Sequence, residues 1–269
     1  MIEFPLKDRI IYTDLPAFVV GIVNATPDSF YSKSRGGAEM GLRLLEEGAH
    51  ILDIGGESTR PGFTPVSPEE EINRIVPVIR EIKKNAPDCV ISVDTRHSLV
   101  WRAAFENGAD ILNDISSFED DALMEDEFFK TGCPVILMHR YNGDENTRIT
   151  NPDCVEEISG YFDKKVKHCL EKGLPASKII VDPGIGFGKT MEENVELIDR
   201  AGELCNGKYT VMMACSRKRV IGFLAGDPAA DRLQGTIDAN LRAIKSGATM
   251  IRVHDVAAHV KALKTKAVF

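Results

Sequence analysis

Eight short, largely apolar runs along this chain each stop at or near a residue suited to chemistry, and this limits the folds open to it. Phe18–Val23 stops at Asn24, Ile51–Ile54 at Gly55-Gly56-Glu57, Val90–Val93 at Asp94, and Ile111-Leu112 at Asn113-Asp114. Val135–Met138 then stops at His139, Ile179–Val181 at Asp182, and Met250–Val253 at His254, while Thr210–Met213 leads to Ser216. Runs this short, apolar on both faces and separated by helix-length segments, read as buried parallel strands. Eight strand–helix units in 269 residues predict a single-domain (β/α)8 TIM barrel over 1–269, with its site where the strands end. The periodicity by itself also admits an open doubly wound sheet.

The intervening segments carry helix signals. Ser67 can cap a helix that begins Pro68-Glu69-Glu70-Glu71, whose acids sit in the positive first turn. Ile72, Ile75, Val76, Ile79 and Ile82 then follow at helical spacing toward Asn85. Further helices are predicted near 38–48, 98–107, 153–172, 190–204 and 230–246. Gly48-Ala49, Gly108-Ala109 and Gly247-Ala248 each precede a run, as expected where glycine closes a helix before the next strand. The connections 25–37 and 57–67 have no apolar stripe and are rich in Ser, Thr, Gly and Pro. On a barrel they are expected to be mobile loops over the catalytic face, carrying Asp28 and Phe30 in the first and Thr59, Arg60 and Pro61 in the second.

A net charge of −8 gives no electrostatic case for nucleic acid or an anionic membrane as partner. No long apolar span or signal-type N-terminus is present, which argues against membrane insertion and secretion. The six cysteines form no C-x-x-C pair, so reduced, mostly buried thiols in a cytoplasmic protein are expected.

Arg60, Arg217, Lys218, Arg252 and His254 fall at or just after strand ends, and convergent cations there imply an anionic substrate group. Isolated on a surface they would be ordinary ion-pairing residues, and their shared position favours function. Asn24 offers a neutral oxygen for a hard cation such as Mg²⁺, which is usually held by few protein oxygens plus substrate phosphates. Asp94, Asn113 and Asp182 can together hold a planar heterocycle bearing amino and ring N–H donors. Asp182, before Pro183-Gly184, also suits a turn cap. His139 is as readily structural as catalytic, and Met138 suits packing better than ring stacking. His50, His97, His168 and His259 read as structural. Gly186-Phe187-Gly188-Lys189-Thr190 imitates a phosphate-binding P-loop, but that pattern needs glycine where Pro183 stands.

Longer motifs carry a resemblance. Asn24-Ala25-Thr26-Pro27-Asp28-Ser29-Phe30, Asp53 through Gly62, Asp182 through Gly188, Ser216-Arg217-Lys218 and Arg252-Val253-His254-Asp255 resemble the dihydropteroate synthase family, in order, from about residue 18 to 256. The resemblance implies condensation of 6-hydroxymethyl-7,8-dihydropterin diphosphate with p-aminobenzoate to give 7,8-dihydropteroate and diphosphate. It places the pterin on Asp94, Asn113, Asp182 and Lys218, with Met138 beside them. It gives the diphosphate to Asn24 with Mg²⁺, Arg60, Arg252 and His254. The p-aminobenzoate pocket falls to Thr59, Pro61, Phe187 and Lys218. It further implies a homodimer packed through barrel helices. Ala214 and Arg219 depart from the Gly and Ser common around the Ser-Arg-Lys motif. Two other readings share the pterin cleft: a methyltetrahydrofolate methyltransferase type, with no need of a diphosphate site, and a non-catalytic pterin-binding paralogue. The two cation-bearing motifs around Arg60 and Lys218 argue against the first, and retention of Asn24, Asp28, Phe30 and Arg60 against the second.

Overall fold

The computed structural model describes residues 1–25, 35–57, 65–141, 153–228 and 231–265; Asp28, Phe30, Thr59, Arg60 and Pro61 lie outside the described residues. The chain opens with an antiparallel hairpin, β1 (Ile2–Pro5) and β2 (Ile10–Thr13), in which Ile2 pairs with Thr13. The eight predicted strands follow as β3 (Phe18–Asn24), β4 (Ile51–Gly55), β5 (Val90–Asp94), β6 (Ile111–Asp114), β7 (Val135–Met138), β8 (Ile179–Asp182), β9 (Thr210–Met213) and β10 (Met250–Val253). They close into a parallel barrel in chain order, and β10 pairs with β3 through Met250–Phe18 to Val253–Gly21. Closure decides between the barrel and the open sheet.

Successive side chains on a strand face opposite ways, so the barrel has an inside and an outside set. Inside, Phe18, Val20, Ile51, Val90, Ile111, Ile136, Ile180, Met212 and Met250 form one apolar plug with Phe4 and Leu6 of the hairpin. The hairpin therefore seals the end where the strands begin, with the Phe4 ring edge-on to Phe18 at 6.4 Å. Residues 1–17 have no counterpart in a bare (β/α)8 repeat, and the strand–helix pattern does not announce them. Outside, a larger core packs the opposite strand faces against the helices.

Those helices are α1 (Arg35–Glu46), α2 (Pro68–Asn85), α3 (Ser98–Glu106), α4 (Met124–Phe129), α5 (Cys154–Glu171), α6 (Met191–Asp199), α7 (Arg219–Leu224), α8 (Arg232–Lys245) and α9 (Val256–Thr265). Ser67 caps α2 by accepting the Glu70 amide at 3.2 Å, as its sequence predicts. Gly48, Gly108 and Gly247 have φ of 101°, 101° and 118°, the left-handed closure expected between helix and strand. The segment predicted as one helix over 190–204 is broken instead: α6 ends at Asp199 and a 3-10 turn runs through Ala201–Gly207. Within that stretch the backbone leaves helical geometry at Leu204, Cys205 and Asn206, the last two at φ 53° and 55°, and Gly202 passes close to α8, where a Cβ would lie 2.0 Å from the Ser246 carbonyl oxygen. All six cysteines are unpaired, five buried and Cys89 half-buried. Among the described residues, no helix is long and apolar enough to cross a membrane.

Candidate active site

The end of the barrel opposite the hairpin collects the strand-end residues, and strand register fixes which of them are neighbours. Gly55 of β4 pairs with Asp94 of β5, and Asp94 with Asn113 of β6. Met138 of β7 pairs with Asp182 of β8. Facing inward above the apolar plug, these residues replace hydrocarbon with carboxylates and amides.

Arg252 of β10 ties the floor together. Its Nε donates to Asp53 Oδ2 at 2.6 Å and its Nη2 to Asp94 Oδ2 at 2.9 Å. Asn113 Nδ2 donates to the same Asp53 carboxylate at 3.2 Å and 3.3 Å. Asp53 is fully buried, and a carboxylate so placed persists only with such partners. Burial pushes Asp94 up to about 7, with the Arg252 charge pulling the other way. Asp182 is likewise raised by burial and drawn back by Lys218. The Lys218 ammonium is lowered by burial to about 8, opposed by the negative charge of Asp182. Lys218 Nζ donates to the Ile185 carbonyl at 2.7 Å and stands 4.9 Å from the centre of the Phe187 ring. His254 Nδ1 lies 3.0 Å from Ser216 Oγ, which joins the ends of β9 and β10. Asn24, at the last position of β3, pairs with Gly55 and is exposed at the mouth.

Asp94, Asn113, Asp182, Met138, Lys218, Arg252, His254 and Phe187 are thus brought to one end of one barrel. The turn-cap reading of Asp182 holds, because its Oδ1 accepts the Gly184 amide at 2.7 Å, and the carboxyl also stays beside Lys218. Gly184 itself has φ +69°, and a Cβ there would sit 1.9 Å from the His139 carbonyl oxygen. Met138 is buried against that turn. The His139 ring stands edge-on between Tyr141 at 4.5 Å and Tyr161 at 4.9 Å, in keeping with a packed, structural histidine.

Arg217 departs from the expected convergence of cations. It sits at φ 58°, is half exposed, and its Nε donates to Asp255 Oδ2 at 2.9 Å on the rim. Asp53 was not legible as a site residue, although a lone acid inside an apolar strand run was its signal. Lys189 of the P-loop imitation points inward: it is fully buried and donates to the carbonyls of Gly184 at 3.0 Å, His139 at 3.1 Å and Phe187 at 3.4 Å. It secures the turn that carries Phe187 rather than facing a phosphate. Ala214 is buried just beyond β9, and Arg219 begins α7 at the surface.

A family model described as "Pterin binding enzyme" matches residues 20–254. The dihydropteroate synthase of Haemophilus influenzae is 38% identical over 257 residues, covering 91% of this chain and 91% of that protein. Among solved structures, Xanthomonas albilineans dihydropteroate synthase with 4-aminobenzoic acid superposes with a TM-score of 0.88 at 38% identity, over 99% of this chain and 100% of the other. The same enzyme in complex with 7,8-dihydropteroate gives 0.85 at 34% identity, over 99% of each chain.

Proposed function

This chain belongs to the pterin binding enzyme family, and from that premise we infer how its own residues divide the work of a dihydropteroate synthase. The activity joins p-aminobenzoate to 6-hydroxymethyl-7,8-dihydropterin diphosphate and releases diphosphate. The observation that carries the assignment of roles is the juxtaposition of an acidic, amide-lined floor (Asp94, Asn113, Asp182) with Arg252 and Lys218 in one barrel mouth.

The carboxylates and the Asn113 amide accept from and donate to the edge of the pterin. As the methylene–oxygen bond breaks, its electron pair leaves with the diphosphate and positive charge develops on the methylene. Asp94 stabilises that charge, held in place through Arg252, which Asp53 orients from below. The arylamine nitrogen then forms the new C–N bond and gives up one proton, so the protein needs no nucleophile of its own. Phe187, with Lys218 over its ring, is our assignment for one wall of the p-aminobenzoate pocket. His254 and Asn24, on neighbouring strands, face the diphosphate.

The donors fit Mg²⁺ in a particular way. Among the described residues no group of three or more His, Cys, Asp or Glu could hold a metal, so an ion here depends on Asn24, substrate oxygens and water. When bound, Mg²⁺ supplies charge neutralisation to the departing diphosphate. The unpaired cysteines accord with a reducing, cytoplasmic setting, and the family resemblance with a homodimer through barrel helices. Mixing the two substrates with enzyme should release diphosphate and dihydropteroate in equal amounts, and chelation should abolish both. Pterin binding without diphosphate release would return the chain to a binding role.

A further inference from the structure

Behind Asp94 lies a group that the roles above leave unused. Glu71, in the first turns of α2, is 1% exposed, and neither of its carboxyl oxygens has a well-formed hydrogen bond. It continues the buried stripe of α2 four residues before Ile75, so the helix drives it inward with the apolar side chains. The end of β4 pins it there: a Cβ on Gly56 would lie 2.8 Å from Glu71 Cγ. A fully buried carboxyl with unmet oxygens is costly, and such groups call for a partner.

A recess supplies room for one. It measures about 10 Å³, the space needed by the centre of a single water, and is lined by Glu57, Glu71, Asp94, Thr95, Arg96 and Ile115. Its charged walls come from the end of β4 (Glu57), the end of β5 (Asp94, Arg96) and α2 (Glu71 itself). Arg96 directs its guanidinium to Glu57 at 3.1 Å and Asp120 at 3.2 Å, while Arg252 serves Asp94 at 2.9 Å. Of the carboxyls here, Glu71 has the weakest claim on a cation and the strongest reason to keep its proton. Burial raises it to about 8, with Glu57 and Asp94 adding repulsion and the Thr95 hydroxyl partly opposing. Asp94 is raised by burial as well, but it alone of the two meets a guanidinium, so the pairing with Arg252 fits Asp94 to be the anion and leaves Glu71 as the donor.

We propose that Glu71 is a positioning residue of the pterin site that donates its carboxylic proton, through one water lodged in this recess, to Asp94, holding Asp94 as the oriented anion that meets the pterin. This rests on the assignment of Asp94 to the pterin. Its test is calorimetric binding of the bare 6-hydroxymethyl pterin at pH 7 and pH 9. Glu71→Met, which keeps the volume and removes the donor, should weaken binding roughly fivefold to tenfold at pH 7. Glu71→Gln, whose amide keeps a donor, should restore most of that loss. The decline in affinity from pH 7 to pH 9 should be smaller in Glu71→Gln than in the wild type, any remaining decline belonging to Lys218. An infrared difference spectrum of wild type minus Glu71→Gln should show the stretch of a protonated carboxyl at pH 7. Glu71→Met binding like the wild type, pH profiles that superimpose, or an absent carboxylic band would each overturn the proposal. Asp94→Asn separates the two levels. If it leaves pterin affinity unchanged, the pterin assignment fails; if it weakens binding while the Glu71 variants do not, only the present proposal fails.

Discussion

Replacing Arg252 with Met removes the cation that bridges Asp53 and Asp94, at 2.6 Å and 2.9 Å, while keeping most of the side-chain volume. Breaking a buried ion pair by deleting one partner costs about 3–5 kcal/mol, because the remaining charge is left uncompensated. Arg252 is 18% exposed toward the mouth, so water offsets part of this, and about 2–3 kcal/mol is the expected loss. For a chain of this length that lowers Tm by about 4–6 °C at pH 8. The sign of the pH dependence follows from the carboxyls. Without Arg252, the folded-state pKa of Asp94 rises further above its unfolded value, so stability present in acid is lost as pH climbs through the folded value. Asp94 is already raised to about 7 with the arginine in place, so the deficit should grow between pH 5 and pH 8. Thermal melts at both pH values measure this. A double-mutant cycle with Asp94→Asn should recover at least about 1 kcal/mol of coupling. A deficit equal at the two pH values, or additive single substitutions, would refute the view that Arg252 stabilises by neutralising these acids. Turnover should fall as well, since Asp94 loses the contact that aims it.

The other sites separate more simply. Asp182→Asn should retain the Gly184 turn, since its oxygen can still accept that amide, yet lower pterin affinity about tenfold through a mismatched donor worth roughly 1–3 kcal/mol; unchanged affinity by calorimetry would reduce Asp182 to a cap. Asn24→Ala should weaken Mg²⁺-dependent turnover and leave binding of the bare pterin nearly intact; equal loss of both would remove Asn24 from the diphosphate side. Lys189→Met leaves three carbonyls without their shared donor, and should raise the KM for p-aminobenzoate more than it weakens pterin binding, because Phe187 rides on that turn. Glu71→Gln should melt above the wild type at pH 8, with the advantage fading toward pH 5. The folded wild type alone retains that proton between an unfolded value near 4.5 and a folded value of about 8, so its stability falls as pH rises.

The strands, most of the helices and the chemical end of the barrel were legible from sequence because each depends on local signals. Short two-faced apolar runs specify buried strands, Ser67-Pro68 begins a helix, and Gly48, Gly108 and Gly247 end theirs. A polar residue at or shortly after the end of every run then fixes which mouth is the site, since parallel strands all end on the same side. Tertiary structure decided what depends on pairs far apart in the chain. Arg252 meets Asp53 across 199 positions, and only closure of β10 on β3 puts both over one floor. The same limit explains Arg217, which turns to Asp255 on the rim, and Lys189, which Pro183 excludes from a P-loop but whose partners, three carbonyls, are brought together only by the fold. It explains Glu71 too. Helical spacing from Ile75 puts Glu71, of three consecutive acids, on the buried face, but only packing against Gly56 places it behind Asp94. Periodicity reports the face that a side chain occupies, whereas the charge it meets there is set by contacts that form only when the barrel closes.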